Sequence, residues 1–416
     1  MRFLFIHQNF PGQFPHISRE LAIRGHEVVA IGDMENLKQR GIPHPSIQRF
    51  AYEPPTKASA AMHPYLRSYE VYIRRGQAVV RIALELVKKG FRPDVVVSHP
   101  GWGEALFLKD VFPDASHIHY CEFFYHAEGA DVGFDPEFPM SLDDRLRIRI
   151  KNSTQLTGLD YADAGLSPTS WQASLYPESF RSRIQVIHDG IDTNIVKPDA
   201  NASVQINDKV LTVKDEVITF VARNLEPYRG FHIFMRMLPA LLAERPAAQV
   251  LIVGGNEFSY GQPAPAGKSW RDFYFEPIRH LIDESRVHFL GKIPHPQYLK
   301  VLQISTVHVY LTYPFVLSWS MLEAMAAGCL VIGSATPPVQ EVLRHEENGL
   351  LCDFFDVDAW VKCVTTALKS RKKLSPLRLA ARKTIIDNYD LHSICLPQQI
   401  RLLTNSPDLS HPHRSL

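Results

Sequence analysis

The sequence is poor in cysteine, has no excess of either charge and contains no long apolar run. Its five cysteines form no CxxC pair among 416 residues, which argues against a disulfide framework and against a zinc site. Lysine and arginine number 45 against 44 acidic residues, a formal net charge of +1, so we expect no nucleic-acid partner. No segment reaches the roughly 18 apolar residues that a membrane-spanning helix needs, and residues 1–7 lack a secretory-signal pattern. We therefore expect a cytoplasmic protein.

Strand and helix patterns alternate along most of the chain. Hydrophobic residues make up 45% and charged residues 21%, which is typical of a globular protein, and this length predicts two domains. Residues 2–7 and 27–31 are apolar runs separated by a turn and a helical pattern, the βαβ unit of a doubly wound sheet. The alternation restarts at residue 217 after a polar stretch. The sequence thus predicts an α/β fold of two Rossmann-like domains facing across a cleft.

We place the domain boundaries at the polar stretch and at the last helical pattern. The prediction is an N-terminal Rossmann-like domain over residues 1–195, a linker over 196–214, a C-terminal Rossmann-like domain over 215–390, and a C-terminal helix and tail over 391–416. The helical pattern near residues 394–403 is expected to cross back onto the first domain. The tail from residue 405, rich in Ser, Pro and His, is expected to fray.

Two arginines follow the first strand of the second half. Arg223 leaves the end of that strand, and Arg229 stands just before the next helix. Ligands of open α/β sheets bind beyond the carboxyl ends of the strands, and arginine makes bidentate bonds to phosphate oxygens. The two side chains therefore predict a diphosphate site, although two surface arginines in a loop are the alternative.

A second candidate anion site lies where a strand near residue 312 is followed by a loop and a strong helix. The amides at the N-terminus of that helix attract anions, and Glu323 could accept hydrogen bonds from ribose hydroxyls. Ser320-x-x-Glu323 also fits a capping box, in which Glu323 bonds only to the Ser320 amide. The local pattern leaves both interpretations open. Gly254 and Gly255, at another strand end, would let a ligand approach the backbone, or simply form a turn.

These segments, taken in order, resemble the family 4 glycosyltransferases, which are retaining enzymes of the GT-B fold. The residues that carry the resemblance are IHDGID over 187–192, EAMAAG over 323–328, VQEV over 339–342 and NGLL over 348–351. The resemblance extends over about the whole chain. NFPG over 9–12 and ADVGFDPEF over 130–138 are similar to a subgroup of that family.

The sequence departs from the family pattern at two donor-site positions. Arg229 stands where the family has a lysine, and Phe315 replaces the first Glu of a Glu-x7-Glu motif whose second Glu is Glu323. In the family the first Glu contacts hydroxyls of the transferred sugar. Backbone groups of Val316, Leu317 and Ser318 are the expected substitutes, and the resemblance implies that the base is recognised near Ile293.

The resemblance implies transfer with retention of the anomeric configuration and without a metal or other cofactor. Arg223, Arg229 and the helix N-terminus would stabilise the negative charge of the leaving diphosphate. Asp356-x-Asp358 has the DxD spacing of metal-dependent glycosyltransferases. Because it directly precedes a helical pattern, we interpret Asp356 as a helix cap.

The first half is expected to supply the acceptor pocket. Gly12 follows the first strand and would allow close approach to the donor, while His99 and Glu122 follow two later strands and are candidate catalytic groups. Glu122 stands about where family members have a histidine. The acceptor candidates, each of which has a purely structural alternative, are Trp102, Glu104, Tyr125, His126 and Asp131.

The basic run RLRIRIK over residues 145–151 allows two interpretations. It could dock on an anionic lipid or polysaccharide, which would place the protein peripherally at the inner face of a membrane. The alternative is a solvated helix face with internal ion pairs.

The sequence therefore predicts a hexosyltransferase that uses a nucleotide diphosphate-sugar, UDP-sugar first and GDP-sugar next, and a hydroxyl acceptor of a glycolipid, polysaccharide or small molecule. Two alternatives remain from the residues alone. One is a GT-B scaffold that binds nucleotide or glycan without catalysis, and the other is a GT-B sugar-nucleotide epimerase.

Overall fold

The computed structural model describes residues 1–405, which divide into two compact units. Unit 1 holds residues 1–190 and the described part of the segment that begins at His392, and unit 2 holds Ile191–Leu391. The first boundary therefore lies five residues before the predicted one. The tail expected to fray lies, from residue 406, outside the described residues.

Unit 1 is built on a seven-stranded parallel sheet of order β3-β2-β1-β4-β5-β6-β7. Its elements are β1 (Arg2–Ile6), α1 (Pro15–Ile23), β2 (Glu27–Asp33), α2 (Met34–Lys38), β3 (Gln48–Tyr52), α3 (Leu66–Lys88), β4 (Val95–Ser98), α4 (Leu108–Val111), β5 (Ser116–Tyr120), α5 (Leu142–Lys151), α6 (Ser153–Tyr161), β6 (Ala164–Ser167), α7 (Ser170–Ser174), α8 (Glu178–Arg181) and β7 (Ile184–Val186).

Unit 2 contains a six-stranded parallel sheet of order β12-β11-β10-β13-β14-β15 and a separate hairpin of β8 and β9. Its elements are β8 (Ser203–Ile206), β9 (Lys209–Thr212), β10 (Val217–Asn224), α9 (Phe231–Glu244), β11 (Gln249–Gly255), α10 (Trp270–Phe275), β12 (Val287–Gly291), α11 (His295–Gln303), β13 (Val307–Tyr310), α12 (Trp319–Ala326), β14 (Leu330–Ser334), α13 (Pro337–Gln340), β15 (Leu350–Cys352), α14 (Val357–Lys369) and α15 (Ser375–Tyr389).

The central strands are buried on both faces, as the continuous apolar runs predict. All four residues of β4 are buried, and so are all seven of β11, because helices cover both faces of a parallel sheet. In unit 1 a core cluster joins β1, β2 and β4 to α3. In unit 2 a larger cluster joins β13 and β14 to α11, α12 and α15. The two Rossmann-like units confirm the predicted fold class.

The segment predicted as an irregular linker is partly ordered as the β8–β9 hairpin. Ile206 and Leu211 of the hairpin are buried and pack in one cluster with Val217 and Val301 of unit 2. The sequence did not predict these strands because each spans only four residues and Asn207 turns between them with a φ of 50°. A positive φ is uncommon for a residue other than glycine.

The last helix belongs to unit 1, as expected. The helix α16 (Leu396–Asn405) packs against α1, and Leu396, Ile400 and Leu403 are buried. Gln399 Nε2 donates a hydrogen bond of 2.9 Å to the His188 carbonyl oxygen. The chain thus returns to its first unit at the C-terminal end of the described residues.

Candidate functional site

The donor-site residues predicted from the sequence follow neighbouring strands of unit 2. The strand order reverses between β10 and β13, and such a reversal is where doubly wound folds bind their ligands. Arg223 lies near the end of β10 and is exposed, whereas Arg229 ends a short 3₁₀ turn (Pro227–Arg229) after the strand and is buried. The loop that contains Phe315 follows β13.

The buried Arg229 is fixed by two hydrogen bonds from one nitrogen. Its Nη1 donates to Thr312 Oγ1 at 2.8 Å and to the Val316 carbonyl oxygen at 2.9 Å. The guanidinium carbon lies 5.7 Å from the ring centroids of both Tyr260 and Phe315. These contacts hold the guanidinium in one orientation, so the surface-loop alternative does not describe this arginine.

Three of the predicted donor-site residues line one cavity of about 360 Å³. Arg223, Gly254 and Ile293 are joined there by Lys292 and His295, among others. Lys292 Nζ lies 2.8 Å from Glu257 Oε2. The cavity has a size typical of small-ligand sites and lies at the carboxyl ends of β10, β11 and β12.

Glu323 does not form the capping box. The N-cap of α12 is Ser318, whose side chain accepts from the Ser320 amide. The carboxylate of Glu323 instead accepts from His295 Nε2 and Tyr298 Oη, each at 2.9 Å. The hydrogen bond to Glu323 raises the pKa of His295 above its ordinary value, against the effect of burial. Through these two partners, both of which line the cavity, Glu323 is connected to the site.

The two glycines at the end of β11 have different surroundings. A Cβ on Gly254 would lie 2.7 Å from Leu225 Cδ2 and 2.9 Å from the Ala222 carbonyl oxygen. Gly254 is therefore required by packing, whether or not a ligand approaches it. A Cβ on Gly255 would meet side-chain atoms of Glu257, Lys292 and Asn224 within 2.5 Å, so a side chain there would displace residues at the rim of the cavity.

The loop after β13 turns its large side chains inward. Phe315 is 4% exposed and Leu317 is 5% exposed. Phe315 packs edge-on against Tyr260, with 4.7 Å between ring centroids, and against Tyr228 at 5.5 Å. The position of the family's first Glu is thus part of an aromatic cluster, while the carbonyl of the next residue, Val316, accepts the hydrogen bond from Arg229.

Sequence reasoning missed Glu226 and Tyr260. Glu226 is fully buried, and its Oε2 accepts from the amides of Ser259 and Tyr260 at 2.9 and 3.0 Å. Burial raises the pKa of Glu226, while those amides and then the charges of Arg229 and Arg223 oppose the rise. This carboxylate therefore fixes the loop that places Tyr260 beside Arg229. The position of Glu226 between Arg223 and Arg229 in the sequence was the signal that could have identified it.

In unit 1 the strand order reverses between β1 and β4, and polar residues gather after β1, β4 and β5. His99 Nδ1 accepts from the Gly101 amide at 3.1 Å, which leaves the proton on Nε2, 3.2 Å from Glu122 Oε2. Gln13 Nε2 donates to Glu122 Oε1 at 2.8 Å. Burial would raise the pKa of Glu122, but the pKa is lowered on balance, with the hydrogen bonds from His99 and then Gln13 among the causes. The structure therefore joins the two predicted catalytic groups as a hydrogen-bonded pair.

His7 and Gln13 were also missed by sequence reasoning. Burial lowers the pKa of His7 to about 3, so its imidazole is neutral at physiological pH. A Cβ on Gly12, whose φ is 53°, would lie 2.5 Å from the His7 ring. Glycine is thus required at position 12 both by the positive φ of the turn and by the nearby His7 ring. The sequence pattern indicated the turn but not the contact with His7.

Two of the acceptor candidates lie close to this cluster. Trp102 stacks on His99 with 3.9 Å between centroids and 9° between the planes. Glu104 is 1% exposed, accepts from Tyr52 Oη at 2.7 Å and lies 3.8 Å from Arg75 Nε. Glu104 is therefore enclosed in the core and is not available to an acceptor hydroxyl, whereas Trp102 remains partly exposed.

Of the other three acceptor candidates, two make contacts within unit 1 and the third is buried. Tyr125 exchanges backbone hydrogen bonds with the Asn152 side chain, and its ring centroid lies 3.4 Å from Lys151 Nζ. His126 Nε2 donates to the Leu175 carbonyl oxygen at 2.6 Å. Asp131 is 3% exposed.

The basic helix and the DxD segment have local partners. In α5, Arg147 pairs with Asp143 at 2.6 Å and Arg145 pairs with Glu128, which fits the solvated-face interpretation. Asp356 Oδ1 accepts from the Ala359 amide at 2.9 Å and is the N-cap of α14, as interpreted from the sequence. Within residues 1–405 no helix is long and apolar enough to cross a membrane.

Two family models match the chain, one in each half. The model described as "Glycosyl transferase family 4 group" matches residues 24–196, and the one described as "Glycosyl transferases group 1" matches residues 203–384. A D-inositol 3-phosphate glycosyltransferase of Mycolicibacterium smegmatis is 24% identical over 188 residues, 45% of this chain and 40% of that protein. The putative glycosyltransferase YtcC of Bacillus subtilis is 24% identical over 209 residues, 48% of this chain and 49% of that protein. The chain thus aligns with less than half the length of these curated relatives.

The likeness to solved structures extends over almost the whole chain. Sucrose-phosphate synthase from Thermosynechococcus elongatus superposes with a TM-score of 0.73 at 20% identity, over 98% of this chain and 100% of that one. Anabaena Alr3699/HepE, solved in complex with UDP-glucose, gives a TM-score of 0.68 at 14% identity, over 98% and 100%. At these identities the likeness shows the fold alone. Because the two glycosyltransferase models together match most of the chain, it belongs to the glycosyltransferases of the family 4 and group 1 type, and its fold is the GT-B fold of these solved structures.

Proposed function

We propose that this glycosyltransferase moves a hexose-type sugar from a UDP-sugar, with GDP-sugar as the next choice, to a hydroxyl acceptor, with retention and without a divalent metal. The observation on which the proposal rests is the cavity of unit 2 that unites Arg223, Gly254 and Ile293 at the carboxyl ends of β10, β11 and β12. A cavity with a cation at a strand end suits a nucleoside diphosphate.

Arg229 supplies the electrostatic part of the mechanism. In the proposed reaction the bond between the sugar C1 and the β-phosphate oxygen breaks, and a bond between C1 and the acceptor oxygen forms on the same face. The acceptor proton passes to the leaving diphosphate. Arg229 is already oriented by Thr312 and Val316, so it can stabilise the developing negative charge without reorganising. Arg223 contributes a second positive charge at the same strand end.

Glu323 is proposed to hold the nucleoside. Its carboxylate oxygens are occupied by His295 and Tyr298, so a ribose would either exchange a hydroxyl for one of these donors or bond to a remaining lone pair. Lys292 and Ile293 line the same cavity, which favours base recognition there. A pyrimidine base is favoured because Anabaena Alr3699/HepE, of the same fold, was solved with UDP-glucose.

His99 and Glu122 are proposed to serve the acceptor hydroxyl. The tautomer of His99 leaves its Nε2–H bonded to Glu122, and a lowered pKa keeps Glu122 ionised. An ionised carboxylate can accept a hydrogen bond from a hydroxyl. A glycolipid, a polysaccharide and a small molecule all fit this chemistry, and the names of the curated relatives add an inositol phosphate to the small molecules worth testing.

A non-catalytic binding scaffold is the second candidate, and Phe315 is the observation that favours it. The side chain at the position of the family's sugar-binding Glu is buried among Tyr228 and Tyr260. A site of that kind can bind a nucleotide without orienting a sugar for transfer.

The deciding experiment is a turnover assay with UDP-glucose, UDP-galactose, UDP-N-acetylglucosamine and GDP-mannose in EDTA, with and without inositol phosphate or a mixed glycolipid acceptor. We expect release of one nucleoside diphosphate, slow without acceptor, and a product whose anomeric configuration by NMR matches the donor. Arg229→Ala should lower the rate by at least about tenfold, while Arg344→Ala serves as an exposed control. An isomerised sugar-nucleotide would establish the epimerase, and binding without release would establish the scaffold.

A further inference from the structure

A second cavity of unit 2, of about 420 Å³, lies away from the donor-site residues. Residues of the β8–β9 hairpin, including Gln205 and Asn207, form one side of it, Arg271 and Phe275 of α10 form another, and Phe289 lies on β12. Since β12 is the outermost strand of its sheet, this cavity opens along a sheet edge and not at the strand ends. It has no lining residue in common with the cavity of Arg223 and Gly254.

Arg271 is the chemically distinctive group of this second cavity. Its guanidinium carbon lies 4.2 Å from the ring centroid of Phe289. Its Nε is buried and has no hydrogen-bond partner among residues 1–405. A buried N–H group without an acceptor is costly, and in native proteins such a group calls for an explanation. An acceptor brought by a ligand supplies one.

The acidic residue that lines this cavity is paired with a different arginine. Glu284 also lines the cavity, but its Oε1 lies 2.6 Å from Arg279 Nε on the exposed surface. Lys209, at the start of β9, is close enough for its charge to lower the pKa of His288, after burial, and His288 is a lining residue. Because Arg279 offsets the charge of Glu284, Arg271 is left as the unbalanced charge among the lining residues, with Lys209 nearby.

The walls of the cavity are apolar next to that charge. Phe275 and Phe289 pack edge to face with 4.9 Å between centroids and 78° between planes, and Ile206 and Leu290 also line the space. Arginine binds carboxylate and phosphate with two parallel hydrogen bonds while its face stacks on an aromatic ring. The cavity volume lies in the range of small-molecule sites.

We propose that this cavity is a second binding site, separate from the donor site, for a small organic phosphate or carboxylate with an aromatic or other apolar body. The oxyanion bonds to Arg271, and the body lies against Phe275 and Phe289. The site does not depend on the glycosyl-transfer assignment, because none of its residues belongs to the proposed donor or acceptor groups.

The test is calorimetric titration of the full chain with phenyl phosphate, with benzoate and inorganic phosphate in parallel. We expect one saturable site for phenyl phosphate, weaker binding of benzoate because it carries less charge, and binding of inorganic phosphate at least about tenfold weaker still because it has no apolar body. Arg271→Gln should weaken phenyl phosphate by at least about tenfold. Arg344→Gln, an exposed arginine with its own acidic partner, should change the affinity by less than about twofold.

Arg223→Gln separates this site from the donor site. If phenyl phosphate binding is lost in Arg223→Gln and kept in Arg271→Gln, the probe occupies the donor site and the proposal is wrong. Equal affinities for phenyl phosphate and inorganic phosphate would also overturn it. Should Arg271→Gln unfold, Phe289→Leu is the second variant, because it retains Arg271 and removes the aromatic ring. For the proposal to stand, Phe289→Leu must weaken the binding of phenyl phosphate more than that of inorganic phosphate.

Discussion

The sequence allowed two roles for the Glu323 carboxylate, helix capping or ligand binding, and its contacts in the structure exclude the capping role. The hydrogen bond from His295 raises the pKa of that imidazole. A raised pKa means that the pair stabilises the fold below the ordinary histidine pKa of about 6.5, and that this stabilisation is lost as the pH rises through the higher pKa of the folded state.

We therefore predict that Glu323→Gln lowers the midpoint of urea unfolding more at pH 6 than at pH 8.5. His295→Gln, the matched variant, should abolish this difference between the two pH values. Unfolding midpoints measured for wild type and both variants check the prediction, and a loss of equal size at both pH values would contradict it.

Glu122 is the residue whose change should separate catalysis from nucleotide binding. Glu122→Gln keeps the shape of the side chain but removes the charge beside His99. We expect kcat to fall by at least about tenfold, with the Kd for the nucleotide unchanged because the donor groups lie in unit 2. His126→Gln, whose ring is bonded to a backbone carbonyl, is the control and should leave kcat within about twofold. An unchanged kcat in Glu122→Gln would remove Glu122 from the mechanism.

At the scale of elements, the turn that leads into α9 depends on Gly230. Its φ is 68°, and a Cβ would lie 2.2 Å from Leu311 Cβ. Gly230→Ala should therefore cost about 3 kcal/mol or more of unfolding free energy, from backbone strain and overpacking together. Gly267 has the same φ of 68° with nothing within 4 Å of its Cβ position, so Gly267→Ala should cost only about 1–2 kcal/mol. Equal costs in denaturant unfolding would show that the Leu311 contact does not matter.

Two variants at the start of α14 distinguish the helix-cap interpretation of Asp356-x-Asp358 from the metal-site interpretation. Because Asp356 accepts from the Ala359 amide, Asp356→Ala should lower the unfolding free energy by about 1 kcal/mol. Asp358→Ala should change it by less than about 0.5 kcal/mol, since Asp358 is exposed. Neither variant should alter nucleotide binding in EDTA. Wild-type binding that requires Mn²⁺, and that both variants lose even with Mn²⁺ present, would favour the DxD interpretation.

At the scale of the whole molecule, the parallel sheets and the return of the last helix followed from the sequence. A continuous apolar run such as that of β4 or β11 is typical of a strand that is buried on both faces. Such runs therefore identify the central strands from the sequence. The β8–β9 hairpin did not follow, because each strand has only four residues, SVQI in β8 and KVLT in β9, which is too short for a clear pattern. Short strands of this kind are fixed by packing against β10 and α11 and not by local pattern.

The candidate site was predictable only in part, for a physical reason. Residues that follow a strand, such as Arg223, His99 and Glu122, are brought together by the topology and can be identified from their position. His295 and Tyr298 lie on α11 and reach Glu323 on α12 through helix packing, which no local spacing reveals. For the same reason Gln13 became visible only as the partner of Glu122 in the folded chain.

The central claim, that unit 2 binds a nucleoside diphosphate at the ends of β10 and β11, is tested most directly by calorimetric titration with UDP, GDP and ADP in EDTA. We predict that one of them, UDP first, binds at least about tenfold more tightly than the others, and that Arg223→Ala and Glu323→Ala each weaken it by about tenfold or more. Failure of all three diphosphates to bind, or equal binding by wild type and both variants, would contradict the account.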